Sequence, residues 1–264
     1  VQFLRAIALD ERFAPAWTGL GDLAAGEGDH AAAVRHYERA IHSDPQLAVA
    51  HNNLSQSLHA LGRLEEAWRE SEWRFAAPGA QALYPHAIAL PRWDGKALRG
   101  RLLVHWEQGF GDMLQHLRFL SLLDMRGIDY VFECPPPLAR LASRSLGVGR
   151  IRVASDAPPD VSAFMATCGL LSLPHLLGVS ASSLPRPPYL RGDAEAGRRM
   201  LEQVAGRAVR GAGAIPCIGI AWRGSNFDPA RNAVLSDFAA LAGGSAKLVA
   251  LQKDITSEES AILA

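Results

Sequence analysis

Six consecutive residues, Glu107-Gln108-Gly109-Phe110-Gly111-Asp112, concentrate the chemistry that this 264-residue chain offers. They follow an apolar run, Arg101 to Trp106, and precede an amphipathic pattern, so they read as a loop between a strand and a helix. Gly109 and Gly111 tolerate positive φ and let another molecule approach the backbone, while the first N–H groups of the coming helix favour an anion. Asp112 then has two readings. It caps the helix, with Gln115 three residues later completing a capping-box-like pattern, or it acts as a general base toward an acceptor hydroxyl. One carboxylate can do both.

A rival chemistry is dinucleotide binding. Gly109-x-Gly111 follows a strand, and Glu133, 22 residues beyond Gly111, stands where a ribose ligand would be expected. Leu114 occupies the place of the third glycine of that fingerprint. His105, His116 and His175 fall on a strand end, a helix and a loop, which reads as packing or surface placement rather than a metal site. Cys134, Cys168 and Cys217 are odd in number and widely spaced, without the pairing that zinc needs, and read as buried thiols in a reducing compartment. Lysine plus arginine equals aspartate plus glutamate at 27 each, so no global field draws the chain to nucleic acid or a membrane surface. No apolar run reaches the roughly 18 residues that span a bilayer, and a cytoplasmic location is expected.

The elements that must position this loop begin with a repeat. Phe3, Tyr37 and Ser71 fall in step at a spacing of 34 residues, as do Ala6, Ala40 and Arg74, and the pairs Leu20/Leu54, Gly28/Gly62 and Ala33/Ala67. Within one unit the order Trp17, Leu20, Gly21, Ala24, Gly28, Ala33, Tyr37, Ala40, Pro45 resembles the tetratricopeptide repeat. Small residues at 24, 33 and 40 let antiparallel helices approach, while Trp17, Leu20 and Tyr37 fill the gaps, and Asp29 and Asp44-Pro45 mark helix boundaries. His51, Ser55, Ser71 and Arg74 depart from the pattern, as expected where an array ends near residue 75 and meets something else. Such arrays present a surface to a protein partner or pack on the next domain.

From residue 78 to 91 the prolines and weak periodicity read as a connection. Strands at 101–106, 129–134 and 151–154 then alternate with helices at 112–127 and 136–147, which implies right-handed crossovers and a parallel sheet. Residues 164–178 form a partly apolar segment, 192–209 a charged helix and 210–216 a linker. A second unit starts with a strand at 217–222, a loop, a helix at 236–243 and a strand at 247–252.

The runs Arg92 to Leu123, Phe132 to Leu141, Leu170 to Gly178 and Ile218 to Asn232 together look like bacterial tetratricopeptide-repeat proteins with a glycosyltransferase domain similar to the heptosyltransferase group. The resemblance implies an α + α/β chain. A tetratricopeptide α-solenoid over 1–76 and a connecting segment over 77–97 precede an acceptor-side Rossmann-like domain over 98–210, and an incomplete nucleotide-sugar-side domain of GT-B type follows over 215–264. It implies transfer of a sugar from a nucleotide-sugar to a glycan or protein acceptor, with no cofactor and no obligatory metal. By the family's G-D loop, Asp112 is the catalytic base, with Glu107, Gln108, Gly109 and Gly111 lining the acceptor side. Arg223, Gly224, Ser225, Arg231 and Asn232 match the donor-phosphate loop, and Gln252 and Lys253 lie near it. The strand and helix that grip the nucleoside in the family would lie beyond Ala264, so the chain reads as a fragment that does not catalyse by itself. A scaffold built on a degenerate transferase domain and an NAD-type dinucleotide-binding protein are the alternatives.

Overall fold

A computed structural model describes residues 1–79, 88–155, 157, 159–186, 188–205, 217–224, 232–241, 246–252 and 254–263. The chain divides into two compact units, Val1–Arg191 and Gly192–Ala264. The first opens with helices α1 (Gln2–Leu9), α2 (Ala14–Gly26), α3 (His30–Ser43), α4 (Ala48–Ala60) and α5 (Leu64–Ser71), followed by a 3₁₀ turn at Glu72–Phe75. The 34-residue period has a local cause that can be seen at the helix ends. Gly28 at φ +83° and Gly62 at φ +73° each close a Schellman turn. Asp29 and Gly28 donate to the carbonyls of Ala24 and Ala25, and Arg63 and Gly62 donate to those of Leu58 and His59. Asp29 then caps α3 by accepting from the Ala32 amide at 2.8 Å.

Between the helices, Ala33, Tyr37, Leu54, Leu58 and Ala67 form one buried cluster. The Tyr37 ring lies so close over Gly21 that a Cβ there would sit 2.3 Å from it, which is why α2 carries a glycine in mid-helix. The Tyr37 hydroxyl donates to Asp22 at 2.9 Å, and Asn53 donates to the same oxygen at 2.8 Å, tying α2, α3 and α4 together.

The sheet of the first unit has strands β1 (Leu102–His105), β2 (Tyr130–Cys134), β3 (Ile151–Val153) and β4 (Ala166–Gly169), all parallel, in the order β3-β2-β1-β4. Helices α6 (Phe110–His116) and α7 (Leu120–Met125) connect β1 to β2, and α8 (Ala139–Leu146) connects β2 to β3. From β3 to β4 the chain runs through turns without a helix among the described residues, as its proline-rich sequence dictates. β4 lies inside the stretch read as a partly apolar segment. Its four residues, Ala-Thr-Cys-Gly, are fully buried and carry no alternation, so periodicity did not mark them as a strand. A short α9 (Leu173–Leu176) follows.

One face of this sheet carries the main core: Val104, Phe132 and Cys168 pack against Met113, Leu120, Leu173 and their neighbours. Trp68 of α5 belongs to the same cluster, its ring edge-on to Phe119 with centroids 6.0 Å apart. Of α1–α5, only α5 therefore joins the core of the sheet among the described residues, while the earlier helices keep clusters of their own.

The second unit contains α10 (Ala194–Ala205), two parallel strands β5 (Cys217–Ile220) and β6 (Lys247–Ala250), a 3₁₀ segment at Leu235–Leu241, and α11 (Ser257–Leu263). Its core is small: Ile220, Trp222 and Leu235, with Phe238 and Leu248 against them. The linker at 210–216 and most of the loop after β5 lie outside the described residues, as does part of the connection at 78–91. No helix among the described residues is long and apolar enough to cross a membrane.

Candidate functional site

In a parallel sheet of order β3-β2-β1-β4 the connections reverse direction between β1 and β4, and the crevice beyond the carboxyl ends of those strands is where such folds receive ligands. Here that crevice is filled from inside. The Glu107 side chain is 0% exposed and lies over Gly169 at the end of β4, where a Cβ would sit 2.1 Å from its carboxylate oxygen. Both carboxylate oxygens accept from Arg74 Nη2, at 2.8 and 3.1 Å, and one accepts from the Leu171 amide at 3.2 Å. Arg74 also donates to the Ser172 hydroxyl at 2.7 Å, to Glu72 at 2.8 Å and to the Ser71 carbonyl at 3.0 Å. Ser172 completes the ring by donating to Glu72 at 3.0 Å. Glu107 thus faces the interior, away from the open side of its loop. It is an ion-pair partner of the helical segment.

Directly after Glu107 the chain turns outward. Gln108 adopts φ +56°, a left-handed conformation unusual for a residue with a side chain, and the five residues from Gln108 to Asp112 are all exposed. Gly109, not Asp112, occupies the position before the first helical residue, with extended backbone and no side-chain cap. Asp112 is the third residue of α6, so the capping-box reading with Gln115 is corrected by the helix starting three residues earlier than its pattern implied. An acid in the first turn still meets the helix dipole favourably. Asp112 Oδ2 lies 3.4 Å from the place a Cβ on Gly109 would take, so the absent side chain leaves room for the carboxylate. Its carbonyl meets His116 Nδ1 at 2.8 Å. Burial holds the His116 imidazole below its ordinary pKa, opposed by that bond and by the Asp112 charge.

The neighbouring strand ends are polar and buried. His105 on β1 aligns with Glu133 on β2, and Glu133 aligns with Arg152 on β3. Glu133 is 0% exposed and ion-paired with Arg152, so it is not open to a ribose as the dinucleotide reading requires. Burial lowers the His105 pKa, with the Glu107 charge opposing. Among the described residues no group of three or more histidine, cysteine or acidic side chains is placed to hold a metal ion.

In the second unit, Gln252 turns inward: its Oε1 accepts from the amides of Trp222 and Arg223 at 3.2 and 3.0 Å, closing the chain end of β5. Arg223 donates to Glu259 at 2.8 Å and to the Asp254 carbonyl, and the Gly224 amide donates to Asn232 at 2.9 Å. Glu259 also accepts from Trp222 Nε1 at 2.6 Å and from the Thr256 amide at 2.9 Å, and the Thr256 hydroxyl accepts from the Glu259 amide. These contacts, the Thr256 amide foremost, depress the Glu259 pKa. Ser225, Arg231 and Lys253 lie outside the described residues.

Arg74, Ser172 and Glu259 escaped the sequence reading as functional neighbours. Arg74 had a signal, because it replaces the small residue that Ala40 supplies one period earlier. Glu259 had one too: Thr256-x-x-Glu259 is a capping box. No protein-family model matches the chain, and no curated protein matches it. Among solved structures, the crystal structure of MamA protein is 26% identical over 33% of this chain and 48% of its own, with a TM-score of 0.27. The chain spans about half the length of that structure. The exposed loop from Gln108 to Asp112 offers one carboxylate and two glycines beyond the carboxyl end of the central strand β1.

Proposed function

We propose that the chain is a tetratricopeptide-repeat glycosyltransferase of GT-B type. Helices α1–α5 are its repeats, β1–β4 belong to its acceptor-side half, and residues 215–264 belong to its nucleotide-sugar side. The observation that carries the reading is the position of Asp112: an exposed carboxylate in the first turn after the central strand β1, beside the reversal of strand order. In this role Asp112 takes the proton from an acceptor hydroxyl as its oxygen attacks the anomeric carbon, and the nucleoside diphosphate departs with the bonding pair. The exposed Gln108, Gly109 and Gly111 line the acceptor side, and Gly224 and Asn232 stand in the donor loop. No resident metal or cofactor is assigned.

A second reading, an interaction scaffold with a degenerate transferase domain, draws on the second unit. Arg223 and Gln252 spend their polar groups on their own chain, on Glu259 and on backbone amides, rather than facing a donor. Calorimetric titration of nucleoside diphosphates and of NAD into the full-length gene product separates the readings. The transferase reading expects saturable binding of a nucleoside diphosphate and none of NAD. Binding of neither leaves the scaffold, and binding of NAD alone restores the dinucleotide reading.

A further inference from the structure

The helical segment reaches into the sheet at one place with charged groups. Arg74 is 4% exposed and Glu107 is 0% exposed. They belong to different parts of the fold: Arg74 closes the helices, and Glu107 opens the loop that carries Asp112. Counting formal charges, the ring holds two carboxylates, Glu72 and Glu107, against one guanidinium. Glu107 is fully removed from water, and its two oxygens are satisfied by one Arg74 nitrogen, Nη2, and by the Leu171 amide.

The same ring is anchored deeper in the helices. Trp73, next to Arg74, stacks on the His51 ring of α4 with centroids 4.0 Å apart, and His51 contacts Glu70 of α5 at 2.6 Å. The Arg74 guanidinium lies over the Phe75 ring at 4.1 Å, and Arg92 covers the same ring at 4.0 Å. Arg74 is therefore fixed before it meets Glu107. On the other side only one residue, Gln108 with its left-handed backbone, separates Glu107 from the exposed glycine loop.

We propose that Arg74 is a positioning residue: by holding Glu107 in the β1/β4 crevice, it sets the path of residues 108–112 and so the place of Asp112. The helical segment is then part of the site rather than a detachable recruiting arm. Glu107 itself is closed to ligand, and an acceptor is met by the exposed residues 108–112. This rests on the reading of Asp112 as the working group of the loop. The order of the loop is measurable whether or not sugar is transferred, so the two fail separately.

The test uses backbone ¹⁵N order parameters and thermal unfolding of the chain. In the double variant R74M/E107M, which replaces the pair by apolar side chains of similar length, cooperative unfolding persists. The order parameters of residues 108–112 fall from about 0.85 to below about 0.6, while those of β1 and α7 stay at the rigid value. R74K, which keeps the charge but loses the two separate nitrogens that reach Glu72 and Glu107, and S172A, which removes only the hydroxyl between Arg74 and Glu72, give smaller falls confined to the same five residues. If the double variant does not fold, R74K and S172A decide the matter alone. Unchanged loop order in the folded variants overturns the proposal and leaves the pair a structural tie.

Discussion

At the scale of single residues, burial decides which groups react and which only hold. Arg74 and Glu107 are each other's main compensation in a place without water. Arg74→Met alone leaves a buried, unpaired carboxylate and is expected to cost about 3–5 kcal/mol in urea unfolding, with most of the loss recovered in R74M/E107M. Equal losses in the single and double variants would show that packing, not charge, is at stake. The cysteines give a second residue-scale prediction. Burial raises the Cys134 thiol to about 12 and the Cys168 thiol well above its ordinary value, while Cys217 is half-buried. The thiolate is the nucleophile, so a thiol reagent at pH 8 modifies Cys217 first and reaches the other two only on unfolding. Early modification of Cys168 would contradict its place in β4.

At the scale of elements, the sequence was most legible where physics repeats. Gly28 and Gly62 recur because each ends a helix in the left-handed conformation, and Ala33 and Ala67 recur because helices approach there. Gly62→Ala places a Cβ at φ +73° and is expected to lower stability by about 1–2 kcal/mol, read from the denaturant midpoint. Asp29→Ala removes the cap of α3 and costs about 1 kcal/mol. Strands β1, β2 and β3 were legible as apolar runs between helical patterns. β4 was not, because four buried residues ending in glycine carry no period. The candidate site was half legible. The glycines and acid of the loop announced a turn with chemistry, but Glu107 is adjacent in sequence to the exposed residues and opposite in direction. Only the fold shows that Gln108 reverses the chain between them. Arg223 and Gln252 were read as lying near a donor, whereas the partners seen for them are Glu259, the Asp254 carbonyl and backbone amides, which no local pattern of theirs could name.

At the scale of the whole molecule, four histidines with lowered pKa values, of which only His105 is buried, contribute to the response to acid. His59, His105 and His116 have pKa values lowered by burial first, and His36 likewise with Arg35 adding to it. Each binds its proton more weakly folded than unfolded, where the ordinary value is about 6.5. The unfolded state therefore takes up more protons as pH drops through 6.5, and stability is lost from there downward, while it is fully present above that pH. Denaturant midpoints measured from pH 7.5 to 5.5 should fall; a flat profile would mean that these rings are open to water. For the transferase reading we propose, the decisive measurement is turnover of the protein with a nucleotide-sugar, wild type against Asp112→Asn. The account predicts unchanged donor affinity with turnover reduced by at least about a hundredfold, the scale of losing a general base. Unchanged turnover would contradict it and reduce Asp112 to a favourable charge at the start of a helix.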